Sequence, residues 1–378
     1  MPTHTAVGTW SGGRFMRFGQ AIADERLEAL LRPDAGVRTV MSADVYGEGQ
    51  ADALLGRSLR GVPREDYVLV GAIGHDFYEG ERQGPRGYPR FTDPALRGPD
   101  GYRDYVRMAT ERSLERCGAS HFDLLLLHNP DRRGFTSEAV WDALAGVRDD
   151  GLTGALGVAP GPANGFTLDL VGCLERFGGL IDWAMVILNP LEPWPGELAL
   201  GAAAKHGVKV ITRVVDYGGL FHDDVLPGHE FPEGDHRRFR PDGWVEEGRE
   251  KLERMRPAAR RHGLTMLQLA CQWNLAHEAV GCVAPTLIQE AGPAARAIEE
   301  KREELGVLSP EVVLEAHEVE EIRELGDNTG CMALKGASPD HEGEERADRW
   351  PLEAEHAQLG RRFGIDPDLL RKAEPLAQ

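Results

Sequence analysis

From about residue 37 to residue 290, short apolar runs alternate with longer stretches in which apolar residues recur three and four apart. The runs Val37–Met41, Tyr67–Ala72, Phe122–His128, Ala155–Ala159, Trp183–Leu188, Val208–Val215 and Gly281–Ala284 predict buried β-strands. The stretches between them predict helices, among them Tyr102–Arg116, Ser137–Asp149, Leu168–Phe177 and Thr265–Ala276. In the last of these, Leu267, Ala270, Cys271, Asn274 and Leu275 follow helical spacing, and Thr265 is placed to cap the start. Strand–helix units in series imply parallel strands joined by right-handed crossovers. About eight such units in roughly 300 residues fit an α/β architecture of the closed (β/α)8 barrel type better than an open sheet.

Two polar segments break the rhythm. His75–Gly101 is rich in Gly, Pro, Arg and Tyr and follows the third strand at the barrel's catalytic face. Phe221–Gly243 carries His222, His229 and His236 among Asp223, Asp224, Glu230 and Asp235. Long loops on a barrel are binding loops or lids. The histidines are spaced too widely for one helical face and match no compact ligand motif, so a polar surface loop outweighs a metal site. Beyond residue 290 comes an Ala/Glu-rich helical stretch, then Asp327–Pro339 and a polar tail. Residues 1–325 are therefore expected to form the barrel, and 326–378 a helical extension packed on it.

Composition narrows the function classes. With 41% hydrophobic residues the chain can bury a large core. A net charge of −19 opposes nucleic acid or an anionic membrane as partner. Five scattered cysteines without a CxxC pair predict neither zinc nor a disulfide framework. The N-terminus lacks a signal-peptide run and no stretch is apolar enough to span a membrane, so a cytoplasmic location is expected.

Several segments, in order, are similar to the aldo-keto reductase superfamily. Ser42–Gly56 (SADVYGEGQADALLG) resembles its Asp-Thr-Ala strand end followed by Tyr-Gly and a Leu-Gly helix. Asp123–Asp131 resembles its fourth strand with the active-site histidine, and Ala155–Val158 its fifth. Lys205–Ile211 resembles the approach to its seventh strand, and Leu267–Val283 the helix and strand before its cofactor-phosphate loop. The resemblance covers roughly residues 5–290.

This resemblance implies an NAD(P)H-dependent carbonyl reductase, with the catalytic tyrosine at Tyr46 and the histidine at His128. The other family positions are substituted. The catalytic aspartate falls on Met41 and the lysine on Ala72, and no lysine precedes Lys205. The Ser-Asn pair that holds the nicotinamide carboxamide falls on Ala159 and Pro160, and its glutamine on Met185. The phosphate loop reads Pro285-Thr286-Leu287-Ile288, without the arginine for an adenosine 2′-phosphate. The cofactor expectation is accordingly either none or NADP.

A phenol without its ammonium neighbour is a poor acid–base at neutral pH. The shared direction of the changes, polar to apolar, predicts a drier and reshaped pocket. Tyr46 and His128 still stand where barrels place their chemistry. Arg213 in the seventh strand is the first candidate partner, with a salt bridge to Asp216 as the alternative. His75 and Asp76 open the long loop and are candidates to close over the mouth. Asp44 is either a substitute carboxylate or a turn residue. Glu192 is a further acid–base candidate, and Trp194 either stacks on a sugar or packs. Lys335 is a candidate cation delivered by the C-terminal segment.

Three functions follow as expectations. A redox-neutral lyase, dehydratase or epimerase on a small carbonyl or sugar-like substrate uses Tyr46 and His128 for proton transfer, with Arg213 stabilising enolate charge. An NAD(P)H-dependent reductase with a rewired site is the second. A catalytically inactive ligand- or partner-binding barrel is the third.

Overall fold

A computed structural model describes residues 1–84, 87–161, 166–330, 350–351 and 353–371. Eight parallel strands run in sequence order: β1 (Ala6–Gly8), β2 (Thr39–Met41), β3 (Val68–Ile73), β4 (Leu124–His128), β5 (Leu156–Ala159), β6 (Trp183–Ile187), β7 (Lys209–Arg213) and β8 (Val280–Ala284). A parallel bridge between Thr5 and Val283 brings the last strand back to the first. The fold is the predicted (β/α)8 barrel.

The lumen is filled rather than open. Met41, Val70, Ala72, Leu124, Leu126, Ala159, Met185, Ile211 and Cys282 pack against one another inside it. A second, larger apolar cluster lies between the outer strand faces and the surrounding helices. Strands buried on both faces read as continuous apolar runs, which is why they were visible as such.

The helices are α1 (Asp24–Leu31), α2 (Gln50–Ser58), α3 (Tyr102–Cys117), α4 (Arg132–Thr136), α5 (Glu138–Asp149), α6 (Thr167–Phe177), α7 (Leu200–Lys205), α8 (Trp244–Arg261), α9 (Met266–Leu275), α10 (Ile298–Gly306), α11 (Ala316–Gly326) and α12 (Ala354–Arg362). Thr265 does cap α9: its hydroxyl accepts the Gln268 amide while the Gln268 side chain accepts the Thr265 amide.

The chain beyond the barrel docks at two points. Asn328 exchanges hydrogen bonds with the Trp194 backbone, at 2.9 and 2.8 Å. Gly326 approaches the Pro190 carbonyl too closely for any Cβ. Trp350 is buried, stacks on Phe166 and donates to Asp169. Lys335, and most of Asp327–Pro339, lie outside the described residues. No helix among the described residues is long and apolar enough to cross a membrane.

Candidate active site

Tyr46 sits in the turn after β2, and His128 is the last residue of β4. Their rings meet edge to face, with centroids 5.7 Å apart and planes at 89°. His75, two residues beyond β3, sets its ring 5.4 Å from that of His128. Arg213 ends β7 and donates through Nη2 to the Pro160 and Gly161 carbonyls, at 2.9 and 2.8 Å. Its charge acts on both Tyr46 and His128. Strand ends on the C-terminal face thus bring Tyr46, His128, His75 and Arg213 together.

Burial pushes the Tyr46 phenol up, and Arg213 opposes that only in part. Burial also pushes His128 well down, and a proton on the neighbouring His75 and the charges of Arg213 and Arg90 work in the same direction. His75 is driven to about 3, chiefly by burial and then by Arg90. Its Nδ1 lies 2.9 Å from both the Tyr88 carbonyl and Arg90 Nη1, and its Nε2 lies 3.0 Å from Asn129 Nδ2. The positive charge of Arg90 disfavours a second proton on the ring. At neutral pH the mouth therefore holds a protonated phenol, two neutral imidazoles and the guanidiniums of Arg213 and Arg90.

The other candidates are placed elsewhere. Asp76 is buried and orders its own loop, accepting the Tyr78 and Glu79 amides and pairing with Arg97. Asp44 is fully enclosed, with both carboxyl oxygens unpartnered. The charges acting on it are those of Asp52, Arg116 and Asp76, on α2, α3 and the loop after β3. Glu192 is buried and takes a 3.4 Å hydrogen bond from Asn189. Trp194 is only 3% exposed. The three spaced histidines separate: His222 bonds Asp216, His229 faces Glu290, and His236 lies edge-on to Phe18.

Asp216 has a different partner set from the salt bridge weighed for it. Its carboxylate accepts the amides of Thr286 (3.1 Å) and Leu287 (3.2 Å) and a bond with His222 Nε2 (2.9 Å). Burial alone would raise its pKa, but the His222 bond and charge, followed by the Thr286 amide and hydroxyl, hold it below the usual range. Leu287 is wholly buried at a φ of 52°. Further buried charges tie the same loop down. Lys301 donates to the Ile288 carbonyl and pairs with Asp224 at 2.5 Å, and Arg237 pairs with Glu290 and Asp235.

The family model of aldo/keto reductases matches residues 6–327. The chain belongs to that family. It is 27% identical to D-threo-aldose 1-dehydrogenase of a Pseudomonas species over 219 residues, 53% of this chain and 63% of the relative. It is 29% identical to 6-dehydroglucose reductase of Agrobacterium fabrum over 154 residues, 40% and 48% respectively. The matched length is thus about three-fifths and one-half of those two relatives. The glycerol dehydrogenase of Gluconobacter oxydans superposes with a TM-score of 0.63 at 21% identity, over 85% of this chain and 90% of the other.

Membership implies a nicotinamide dinucleotide, and the residues of this aldo/keto reductase fit one poorly. The amides of Thr286 and Leu287, at the family's phosphate loop, are already engaged by a buried carboxylate. Arg296, ten residues beyond Thr286, is committed to Glu304 and the His222 carbonyl. Ala159 and Pro160 offer no side-chain donor for a carboxamide, and Met185 packs in the lumen. Ala72, which the sequence resemblance sets against the family lysine, is packed there too.

Three mouth-lining groups escaped the sequence reading. Trp10, after β1, packs against the lumen cluster and reaches the Pro285 carbonyl, and Gly8 beneath it leaves no room for a Cβ. Arg90 and Asn129 brace His75. Asn129 follows the matched histidine at a positive φ of 48°, a conformation asparagine tolerates, and was the one readable signal.

Proposed function

We propose that this aldo/keto reductase-family barrel catalyses redox-neutral proton transfer on a small, polyhydroxylated carbonyl compound. The observation that carries the reading is the Tyr46–His128 contact beside Arg213; the sequence resemblance, which sets Ala72 against the family lysine, supports it. In the proposed step, neutral His128 takes the proton from the carbon next to the substrate carbonyl. The C–H electron pair forms a carbon–carbon double bond, and the carbonyl π pair moves to oxygen. Tyr46 protonates that oxygen, and Arg213 stabilises the charge developing there. Return of a proton to carbon gives an isomer, and loss of a β-hydroxyl as water gives a dehydration product. Neither needs an oxidant or a reductant.

Solvent-deuterium exchange at the carbon next to the carbonyl, followed by proton NMR on a panel of ketoses and aldoses, tests this. Exchange that vanishes in Tyr46→Phe and His128→Gln supports it. Full exchange in both variants sinks it. The relatives' names, a dehydrogenase and a reductase of sugars, favour a second reading in which the chain transfers hydride. Micromolar binding of NADPH or NADH, with substrate-dependent loss of absorbance at the reduced nicotinamide band, would put that reading first.

A further inference from the structure

Arg213 is a cation without a counter-charge. Among the described residues no carboxylate lies within ion-pair distance of it, whereas Arg237 has two and Lys301 one, also in the β7–β8 sector. Its two bonds go to neutral carbonyls and use only Nη2. Nε is enclosed with no acceptor, and Nη1 makes no hydrogen bond to a described residue. Desolvation lowers its pKa, and the one group acting to restore it is Tyr46. It is also the one charged residue lining a narrow cleft formed by Pro160, Phe166, Met185, Ile187 and Ala199. A guanidinium held in an apolar surround is costly unless an anion joins it. Asp216, three residues along the chain, is committed to Thr286, Leu287 and His222.

We infer that the substrate supplies the missing charge: Arg213 recognises a carboxylate on the substrate, which is then a sugar acid (an aldonate or uronate) rather than a neutral sugar. One unpaired guanidinium matches one negative charge. The two N–H donors on Nη1, which no described residue takes, suit a carboxylate oxygen. A phosphate dianion would call for a second cation beside Arg213; among the described residues the cleft lining holds none, and Arg90, the other guanidinium of the mouth, is bonded to the Asn129 carbonyl and contacts His75. This inference rests on the proposed function for the location of the site, but not for its chemistry. Burial is the main cause that holds His128 down, and Arg213 adds to it; an anion bound on Arg213 removes that added part and makes the imidazole a stronger base.

The test is a calorimetric titration of the full chain with D-gluconate, D-glucuronate, D-glucose and D-glucose 6-phosphate at low and high salt. At least one of the acids is expected to bind ten-fold or more tightly than glucose and to weaken with salt. Arg213→Gln is expected to lose that ten-fold preference, and Arg213→Lys to keep part of it. Circular dichroism and the melting temperature of both variants report whether the fold is intact. If Arg213→Gln does not fold, the salt dependence and the acid-to-glucose ratio of the unaltered protein decide. Equal binding of glucose and the acids, binding of neither acid, or an undiminished acid preference in Arg213→Gln overturns the inference. Tighter binding of the phosphate than of both acids overturns the choice of carboxylate. Binding is read without turnover. Acid recognition with no deuterium exchange therefore refutes the proton-transfer reading alone, and exchange without acid preference refutes this one alone.

Discussion

The carboxylate of Asp216 accepts the amide of Leu287 at 3.2 Å, at a loop that the family resemblance assigns to cofactor phosphate. The chain's own anion thus occupies donors that an external anion would need. Replacing Asp216 with Ala leaves two buried amides and His222 without their acceptor. A loss of about 3 kcal/mol in unfolding free energy is expected from the unsatisfied groups. Urea denaturation checks it. A change below about 0.5 kcal/mol would mean that solvent already satisfies these amides.

Tyr46 makes no hydrogen bond to a described residue and keeps a partly exposed ring, so Tyr46→Phe removes only the hydroxyl. Stability should change by no more than about 0.5 kcal/mol. The deuterium-exchange rate should fall by roughly 10²- to 10⁴-fold, the range for removing a positioned acid. Parallel melting and exchange measurements separate the two effects. Equal losses in both would make Tyr46 a packing residue.

His75 predicts a pH dependence of stability. Its pKa is near 3 in the folded protein and about 6.5 when unfolded, so below pH 6.5 the unfolded state binds the extra proton. The stabilisation is present above pH 6.5 and is lost progressively as pH falls toward 3. The slope is at most about 1.4 kcal/mol per pH unit for this one group. Unfolding curves from pH 7.5 to 4.5 should therefore flatten in His75→Asn. Identical slopes would place the proton elsewhere.

Asp44 predicts the opposite trend. Burial and the neighbouring Asp52 charge push its carboxyl well above the usual range. Its contribution is present below pH 3.8 and is lost as pH rises to its folded pKa, so at pH 7 it opposes folding. Asp44→Asn should raise the melting temperature at pH 7 more than at pH 4. A fall at pH 7 would show that the carboxylate is paired in solution.

The barrel was legible because parallel strands buried on both sides leave uninterrupted apolar runs, as in Leu124–Leu127 and Trp183–Ile187. β1 was not: three residues, Ala6–Gly8, are too short to carry a period. The Tyr46–His128 contact followed from matched strand ends. Asp216 did not, because its partners are backbone amides 70 and 71 residues away, and no side-chain pattern marks those. Arg213 was visible as a charge in a strand, but the commitment of Asp216 elsewhere appears only in three dimensions. Asp44 and Tyr46 lie two residues apart in sequence, yet the charges acting on Asp44 belong to α2, α3 and the loop after β3 rather than to the mouth.

Trp350 fastens the chain beyond the barrel. Its ring stacks on Phe166 with centroids 4.6 Å apart and planes at 20°, and Nε1 donates to Asp169 Oδ1 at 2.9 Å. Phe166 begins the approach to α6 and lines the cleft beside Arg213, so this one indole couples the C-terminal region to the candidate site. Burial pushes Asp169 up, while the His356 charge and the Trp350 bond oppose that. Trp350→Ala removes the ring and leaves Asp169 without its donor, a cost of about 3 to 5 kcal/mol if barrel and extension unfold together. If they unfold separately, the loss is capped at the docking energy of the extension, and the barrel transition is unchanged. Limited proteolysis distinguishes the two. A Trp350→Ala chain trimmed to a stable barrel-sized core shows a separable extension, and one digested throughout at the same rate as its unfolding shows a single cooperative unit.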